Sequence, residues 1–324
     1  MKLTTIQGAQ GPSPAALLNN DKLLRIDVAQ ANGLIAGVPP ITNLVQIIEL
    51  DGPTFPAVRA LVEKVEAGDA SLVDRLSALD AFTDNDPAIY APILQPRMIV
   101  SCGMGYMDHL EEMGAEFTPR IPVAFIKLPC AENWNGAPIV LPPQDADMVD
   151  YECEFSCVVG RAFHNVSPED VMQHIGGYTM ISDISSRTSA AAFSNALNSQ
   201  VQGLDFLELS SRMTMEKQYP GFCPIGPVIH TADTFGDPHD VEIGTRLNGK
   251  VVQSVNTAKL TFRIAVLLSH FSRFYRFQPG DILTTGSPSG VGMSFDPPRY
   301  LQPGDVLETF ADRIGTMVNP VVAR

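Results

Sequence analysis

The chain has 324 residues, 45% hydrophobic and 18% charged, a globular composition with room for one large catalytic domain and a smaller appended one. Its 36 acidic and 22 basic residues leave a formal net charge of −14, which argues against nucleic acid or an anionic membrane surface as partner. Five scattered cysteines without a CxxC pair, no apolar run of transmembrane length and no signal-peptide core after Met1 lead to the expectation of a reduced, cytoplasmic protein.

In chain order, Gly11-Pro12-Ser13-Pro14 and Val38-Pro39-Pro40 read as turns. Segment 54–67 puts Val58, Leu61, Val62 and Val65 on one helical face. The proline-rich stretch Asp84–Pro96 precedes a strand-like run, Met98–Cys102, which sets a boundary near residue 93. Residues 1–92 are expected to form a small N-terminal domain and 93–324 the catalytic one. Within the latter, strands are expected at 123–128 and 139–141, and at 178–183, closing on Asp183. Segment 166–177 has the grammar of a helix, with Ser167 as N-cap, Pro168 at the first position and Gly176 at the end. Segment 241–254 is a hairpin about Asn248-Gly249, and a helix over about 257–275 follows, capped by Asn256 or Thr257. Gln-Pro-Gly-Asp occurs at 278–281 and 302–305, each time turning into a strand. The fold class expected is α+β and β-rich.

The most informative chemistry lies in residues 150–161, Asp-Tyr-Glu-Cys-Glu-Phe-Ser-Cys-Val-Val-Gly-Arg. Strict alternation turns Glu152, Glu154 and Ser156 to one face and Cys153, Phe155 and Cys157 to the other. Two carboxylates two residues apart on a strand can share one hard cation; the competing reading is a solvated strand face. Asp183 could complete a three-carboxylate, all-oxygen set suited to Mg²⁺ or Mn²⁺, and such an ion would reverse the local field for an anionic substrate. Upstream, His109 and Glu112 stand at i, i+3, where a carboxylate fixes the tautomer of an imidazole and raises its basicity. The loop 286–292 (GSPSGVG) has neither the ending of a phosphate loop nor the spacing of a dinucleotide fingerprint. Its backbone donors could serve an oxyanion or simply close a strand exit.

Taken in order, Tyr-x-Asp-His-x-x-Glu, Tyr-Glu-x-Glu, Asp-x-Ser-x-Arg, Phe222–Pro227, Asn248-Gly249 and Gly280–Gly292 resemble the fumarylacetoacetate hydrolase family over about 98–320. The resemblance implies a mixed β-sandwich roll, usually a homodimer, with Mg²⁺ or Mn²⁺ on Glu152, Glu154 and Asp183. It further implies His109–Glu112 as the water-activating pair, on a segment that orders over the site. Lys217 takes the place of the lysine that steadies an oxyanion, and Tyr106, Arg187 and Thr257 match substrate-contacting positions. The expected reaction is hydrolytic C–C cleavage of a 1,3-diketone or acylpyruvate-type keto acid, as in aromatic catabolism. A metal-dependent decarboxylase, hydratase or isomerase of an oxaloacetate-like acid is the alternative, and a non-catalytic binding module of the same fold is a further rival.

Two departures bear on the substrate: Ala190 stands where the family often has glutamine, and Pro220 where it often has aspartate. The span 189–216 is also long and carries Phe193, Leu204, Phe206, Leu207, Met213 and Met215. It is expected to form a pocket wall or lid selecting a bulkier, less polar substrate.

Overall fold

The computed structural model describes residues 1–8, 11–112, 119–189 and 204–324, with 204–206 by backbone alone. Ala190 and Phe193 lie outside the described residues.

Four strands open the chain: β1 (Lys2–Gly8), β2 (Gly11–Leu17), β3 (Lys22–Arg25) and, after a helical stretch, β4 (Phe82–Asp84). Nine follow as β5 (Ile99–Gly103), β6 (Val123–Lys127), β7 (Glu132–Trp134), β8 (Ile139–Leu141), β9 (Val149–Asp150), β10 (Cys153–Val159), β11 (Ile175–Ser182), β12 (Ser185–Ser186) and β13 (Cys223–Thr231). The last five are β14 (Glu242–Leu247), β15 (Lys250–Asn256), β16 (Ile282–Thr284), β17 (Val306–Ala311) and β18 (Gly315–Ala323). An 11-stranded mixed sheet runs β4-β3-β2-β1-β13-β11-β10-β16-β5-β6, with β7 beside β13, and a 5-stranded sheet runs β15-β14-β17-β18-β8. The two sheets enclose one core, in which Phe155 stacks on Tyr178 and both meet Phe235 at a tilt, at centroid distances of 4.6–5.8 Å, beside Ile243, Val255 and Ala311 from the smaller sheet. This is the expected strand-rich α+β sandwich.

A second core forms where the helix Thr54–Glu66 buries Val58, Leu61, Val62 and Val65 against the main sheet. That face is the one the 3.6-residue period selects. Sheet pairing crosses the expected boundary at residue 93: Lys2 and Leu3 of β1 register with His230 and Ile229 of β13. The split into 1–92 and 93–324 is thus a proposal about folding units, and the strands of both parts belong to one sheet.

Three local expectations are corrected. Gly11–Pro14 is strand: β3 reaches only to Ala15, so beyond it β2 has a single neighbour and the missing N–H groups of Pro12 and Pro14 leave no ladder partner stranded. Segment 166–177 is no continuous helix; one 3₁₀ turn, Val171–His174, leads directly into β11. Gly176 belongs to that strand because its backbone lies against Gly160 and Ile48, where an added Cβ would come within 2.9 Å of each. The helix expected over 257–275 divides into a 3₁₀ turn, Thr257–Lys259, capped by Asn256, and an α-helix, Ile264–Ser272. The hairpin holds as expected, with Asn248 at φ 53 and Gly249 at φ 78, the left-handed pair that its turn demands.

Candidate metal centre and its proton-transfer pair

β10 and β11 are antiparallel neighbours, Cys153 opposite Ser182. One step beyond that register the Asp183 amide donates to the Glu152 carbonyl at 2.8 Å, which fixes the two acidic residues side by side at the strand ends. Glu154 lies two residues further in, on the same face as Glu152. Ligand atoms of Glu152, Glu154 and Asp183 all lie within 4.8 Å of one another, and all three side chains are buried. Opposed oxygen ligands of a cation at about 2.0–2.5 Å span about 4–5 Å, so the set fits a hard divalent ion. Charge supports the same fit. Burial, then Asp183 and Glu152, push the Glu154 carboxyl well above its ordinary range, the mark of surplus negative charge that a cation relieves.

Three protein cations border the cluster. The Lys217 ammonium donates to Glu152 Oε2 at 3.0 Å, Asp183 Oδ2 at 2.7 Å and Ser185 Oγ at 2.6 Å. Lys127, fully buried at the end of β6, is paired with Asp183 Oδ1. Arg187 donates from Nε to Asp150 Oδ2 at 2.9 Å and from Nη2 to Glu152 Oε1. Burial alone would raise the Glu152 carboxyl, but Lys217 and Arg187 outweigh it and hold Glu152 well below the usual carboxylate range. The same logic acts on Lys217: burial lowers its pKa, while Asp183 and Glu152 more than offset that and favour the ammonium. Gln218 positions Lys217 by accepting from the Leu128 amide at 2.7 Å and donating to the Ile126 carbonyl at 3.2 Å, tying the turn to β6.

The helix Met107–Glu112 brings His109 and Glu112 together, Nδ1 to Oε2 at 3.2 Å. His109 lies near enough to Glu152 for its charge to lower that carboxyl. Glu112 Oε1 also accepts from the Gly290 amide at 2.8 Å and the Ser294 hydroxyl at 2.6 Å, so the helix lands on the glycine-rich loop. The donor of Gly290 is therefore spent on a protein carboxylate. Close approach of two glycines makes the landing possible: a Cβ on Gly105 would sit 2.0 Å from the Thr285 carbonyl oxygen. Gly105→Ala should accordingly cost at least about 1–3 kcal/mol, the range for forced overpacking, read as a lower midpoint of denaturant unfolding.

Of the expected substrate contacts, Tyr106 is fully buried, and its hydroxyl beside Thr285 makes no hydrogen bond of ordinary geometry among the described residues. Arg187 spends its guanidinium on Asp150 and Glu152. The Thr257 hydroxyl accepts from the Val241 amide at 3.0 Å and donates to the Pro238 carbonyl at 2.9 Å, so its proton is engaged within the fold. Lys127 was absent from the sequence reading, although it closes a strand whose alternation sets Val123, Phe125 and Lys127 on one face. The ends of 189–216 are stapled, Ser189 donating from Oγ and N to the Glu216 carboxylate at 2.6 and 3.1 Å, while 190–203 lie outside the described residues.

Residues 98–322 match the family model described as Fumarylacetoacetate (FAA) hydrolase C-terminal. The mitochondrial oxaloacetate tautomerase fahd2 of Xenopus laevis is 31% identical over 326 residues, covering 99% of this chain and 90% of its own length. Among solved structures, a fumarylacetoacetate hydrolase from Exiguobacterium antarcticum superposes with a TM-score of 0.71 at 26% identity, covering both chains completely. A 5-carboxymethyl-2-hydroxymuconate delta-isomerase from Mycobacterium smegmatis does so at 0.67 and 27%, over 100% of this chain and 99% of its own.

Proposed function

The chain belongs to the fumarylacetoacetate hydrolase family, and on that premise we propose that it is a divalent-metal-dependent isomerase interconverting the keto and enol forms of a small, oxaloacetate-like 2-oxo acid. One observation carries the reading: a carboxylate-backed imidazole, His109–Glu112, and two ammonium groups, buried Lys127 and half-buried Lys217, border a single set of three carboxylates. The name of the Xenopus laevis relative, which aligns over 99% of the chain, supports the substrate class.

Glu152, Glu154 and Asp183 would hold the cation, Mg²⁺ or Mn²⁺, which when bound supplies Lewis-acid polarisation of the 2-oxo group. His109 takes the proton from the carbon beside that group, with Glu112 fixing the tautomer that leaves Nε2 free to accept. The C–H electrons become the new C=C bond as charge develops on the carbonyl oxygen, and the ammonium of Lys217, with Lys127 behind it, steadies that charge. Return of that proton from the His109 imidazolium to the oxygen gives the enol and restores the neutral imidazole, and the reverse sequence gives the keto form. Tyr106 enters the proposal as a substrate contact on the family resemblance alone, while Arg187 and Thr257 act through the protein groups they hold.

Hydrolysis of a 1,3-diketone or acylpyruvate is the second reading, favoured because the same imidazole pair can deprotonate a water. The test follows the enol absorbance of oxaloacetate with Mg²⁺ or Mn²⁺, alongside acylpyruvates with products read by mass spectrometry. An isomerase speeds the approach to equilibrium with no loss of carbon skeleton; a hydrolase splits the acylpyruvate into two acids. No acceleration on oxaloacetate together with clean acylpyruvate cleavage would replace the first reading by the second.

A homodimer is part of the proposal. β6 is the last strand of the main sheet, and around it Ile121, Val123 and Leu128 are 61, 38 and 46% exposed. Edge strands of that character are ordinarily covered. Light scattering is expected to give twice the chain mass, and Val123→Lys to shift it toward the single chain; a monomeric wild type would refute the dimer. Cytoplasmic residence is likewise a proposal to be checked by fractionation. No helix among the described residues is long and apolar enough to cross a membrane, and the Xenopus laevis relative is named as mitochondrial.

A further inference from the structure

We infer that Asp150 is a positioning residue that locks the landing loop of the His109–Glu112 helix to the carboxylate cluster, so that base and cluster hold one fixed relation. Asp150 is fully buried, and its carboxylate meets four donors. Oδ1 accepts from the Gly292 amide at 2.6 Å and the Tyr151 amide at 2.8 Å. Oδ2 accepts from the Met293 amide at 3.1 Å and from Arg187 Nε at 2.9 Å. Each partner leads to a different part of the site. Gly292 and Met293 belong to the loop that receives the helix, where Ser289 donates to Asp108 at 3.2 Å and Gly290 and Ser294 donate to Glu112. Arg187 continues through its other nitrogen to Glu152. Tyr151 is the chain link to Glu152 itself.

Two features show that this junction is built for a carboxylate. Gly292 has no room for a side chain: a Cβ there would lie 2.7 Å from Asp150 Oδ1 and 2.2 Å from the Arg299 carbonyl oxygen. And all four partners are donors, which an ionised aspartate alone can satisfy on both oxygens. An asparagine of the same shape must turn its NH₂ toward one donor pair, breaking either the Gly292–Tyr151 side or the Met293–Arg187 side. Asp150→Asn is thus close to isosteric while removing half the junction.

The turnover arm of the test rests on the isomerase reading; the other two arms need no substrate. In Asp150→Asn, amide hydrogen exchange at 107–112 is expected to accelerate about tenfold or more, with β10 and β11 amides unchanged. Mn²⁺ titration of metal-free protein should show weaker binding by about tenfold, and kcat on oxaloacetate should fall about 10–100-fold with KM nearly constant, the usual range for groups that orient metal ligands. Unchanged exchange at 107–112, or a rise spread evenly over the chain, would overturn the inference, the latter by making Asp150 a general fold residue. Should Asp150→Asn not fold, Ser294→Ala releases Glu112 from the loop side and must loosen 107–112 by the same route, or the lock is refuted. Wild type inactive on oxaloacetate would defeat the isomerase reading alone, since exchange and Mn²⁺ binding still decide the role of Asp150.

Discussion

Metal-free protein, made with EDTA and checked by elemental analysis, is expected to lose turnover and to regain it with Mg²⁺ or Mn²⁺; Glu154→Gln should not regain it at the metal concentration that saturates wild type. The argument is one of charge. Glu152, Glu154, Asp183 and Asp150 stand against Lys127, Lys217 and Arg187, so four buried carboxyl groups face three cations. The surplus falls on Glu154, whose pKa burial, Asp183 and Glu152 drive upward. A neutral amide there keeps the shape and removes the charge that a hard cation needs. Binding should weaken at least about tenfold, about 1.4 kcal/mol. Stability should move differently. Because burial, with Asp183 and Glu152 beside it, raises the Glu154 carboxyl in the folded state, that group holds in metal-free wild type a proton that the unfolded chain gives up once pH passes the ordinary carboxylate range, and its contribution to stability is lost as pH rises from there. Glu154→Gln should flatten that slope and leave the metal-free protein at least as stable, while Mn²⁺ raises the melting temperature of wild type alone. Full activity in protein shown to be free of metal would end this account.

What the sequence carried was mainly what a period can carry. Alternation over 150–159 sorted Glu152 and Glu154 from Cys153, Phe155 and Cys157, and the structure buries the latter three in the core between the sheets. The same parity includes Asp150, which no local signal singles out, because nothing nearby shows that Gly292 and Met293, more than a hundred residues on, arrive to bond it. Lys127 was missed for a related reason. A lysine ending a strand resembles solvent-facing edge chemistry, and only the return of β11 turns Asp183 toward it. His109 and Glu112 were legible because i, i+3 contact is a property of the helix alone. The helix read over 166–177 failed where local capping signals met long-range packing: Gly176 and Gly177 serve the close approach of Gly160 and His230 rather than a helix end. Arg187 shows the limit of pattern from the other side: the resemblance offered it to a substrate, whereas in the structure its guanidinium holds Asp150 and Glu152 within the protein.

His109→Ala should slow oxaloacetate keto–enol interconversion by about 10²–10⁴, the range for loss of a general base, while Mn²⁺ affinity stays within about twofold of wild type. The two parts of that expectation follow from one geometry. His109 is held through Nδ1 by Glu112 and is no member of the carboxylate cluster, so its loss removes a proton acceptor and leaves the cation's ligands intact. Glu112→Gln should give a smaller loss. An amide still contacts the imidazole and the loop, but it no longer carries the charge that favours a protonated imidazole in the transition state. The substitution also separates the two readings of the reaction. If the imidazole serves carbon-to-oxygen proton transfer, interconversion falls while decarboxylation of oxaloacetate, which requires no proton removed from carbon, falls much less. If it serves water activation, acylpyruvate cleavage takes the large loss and any residual interconversion is spared. Equal loss of every activity, with exchange at 107–112 accelerated in His109→Ala, would mean that His109 holds its helix on the loop and that the proton acceptor lies elsewhere.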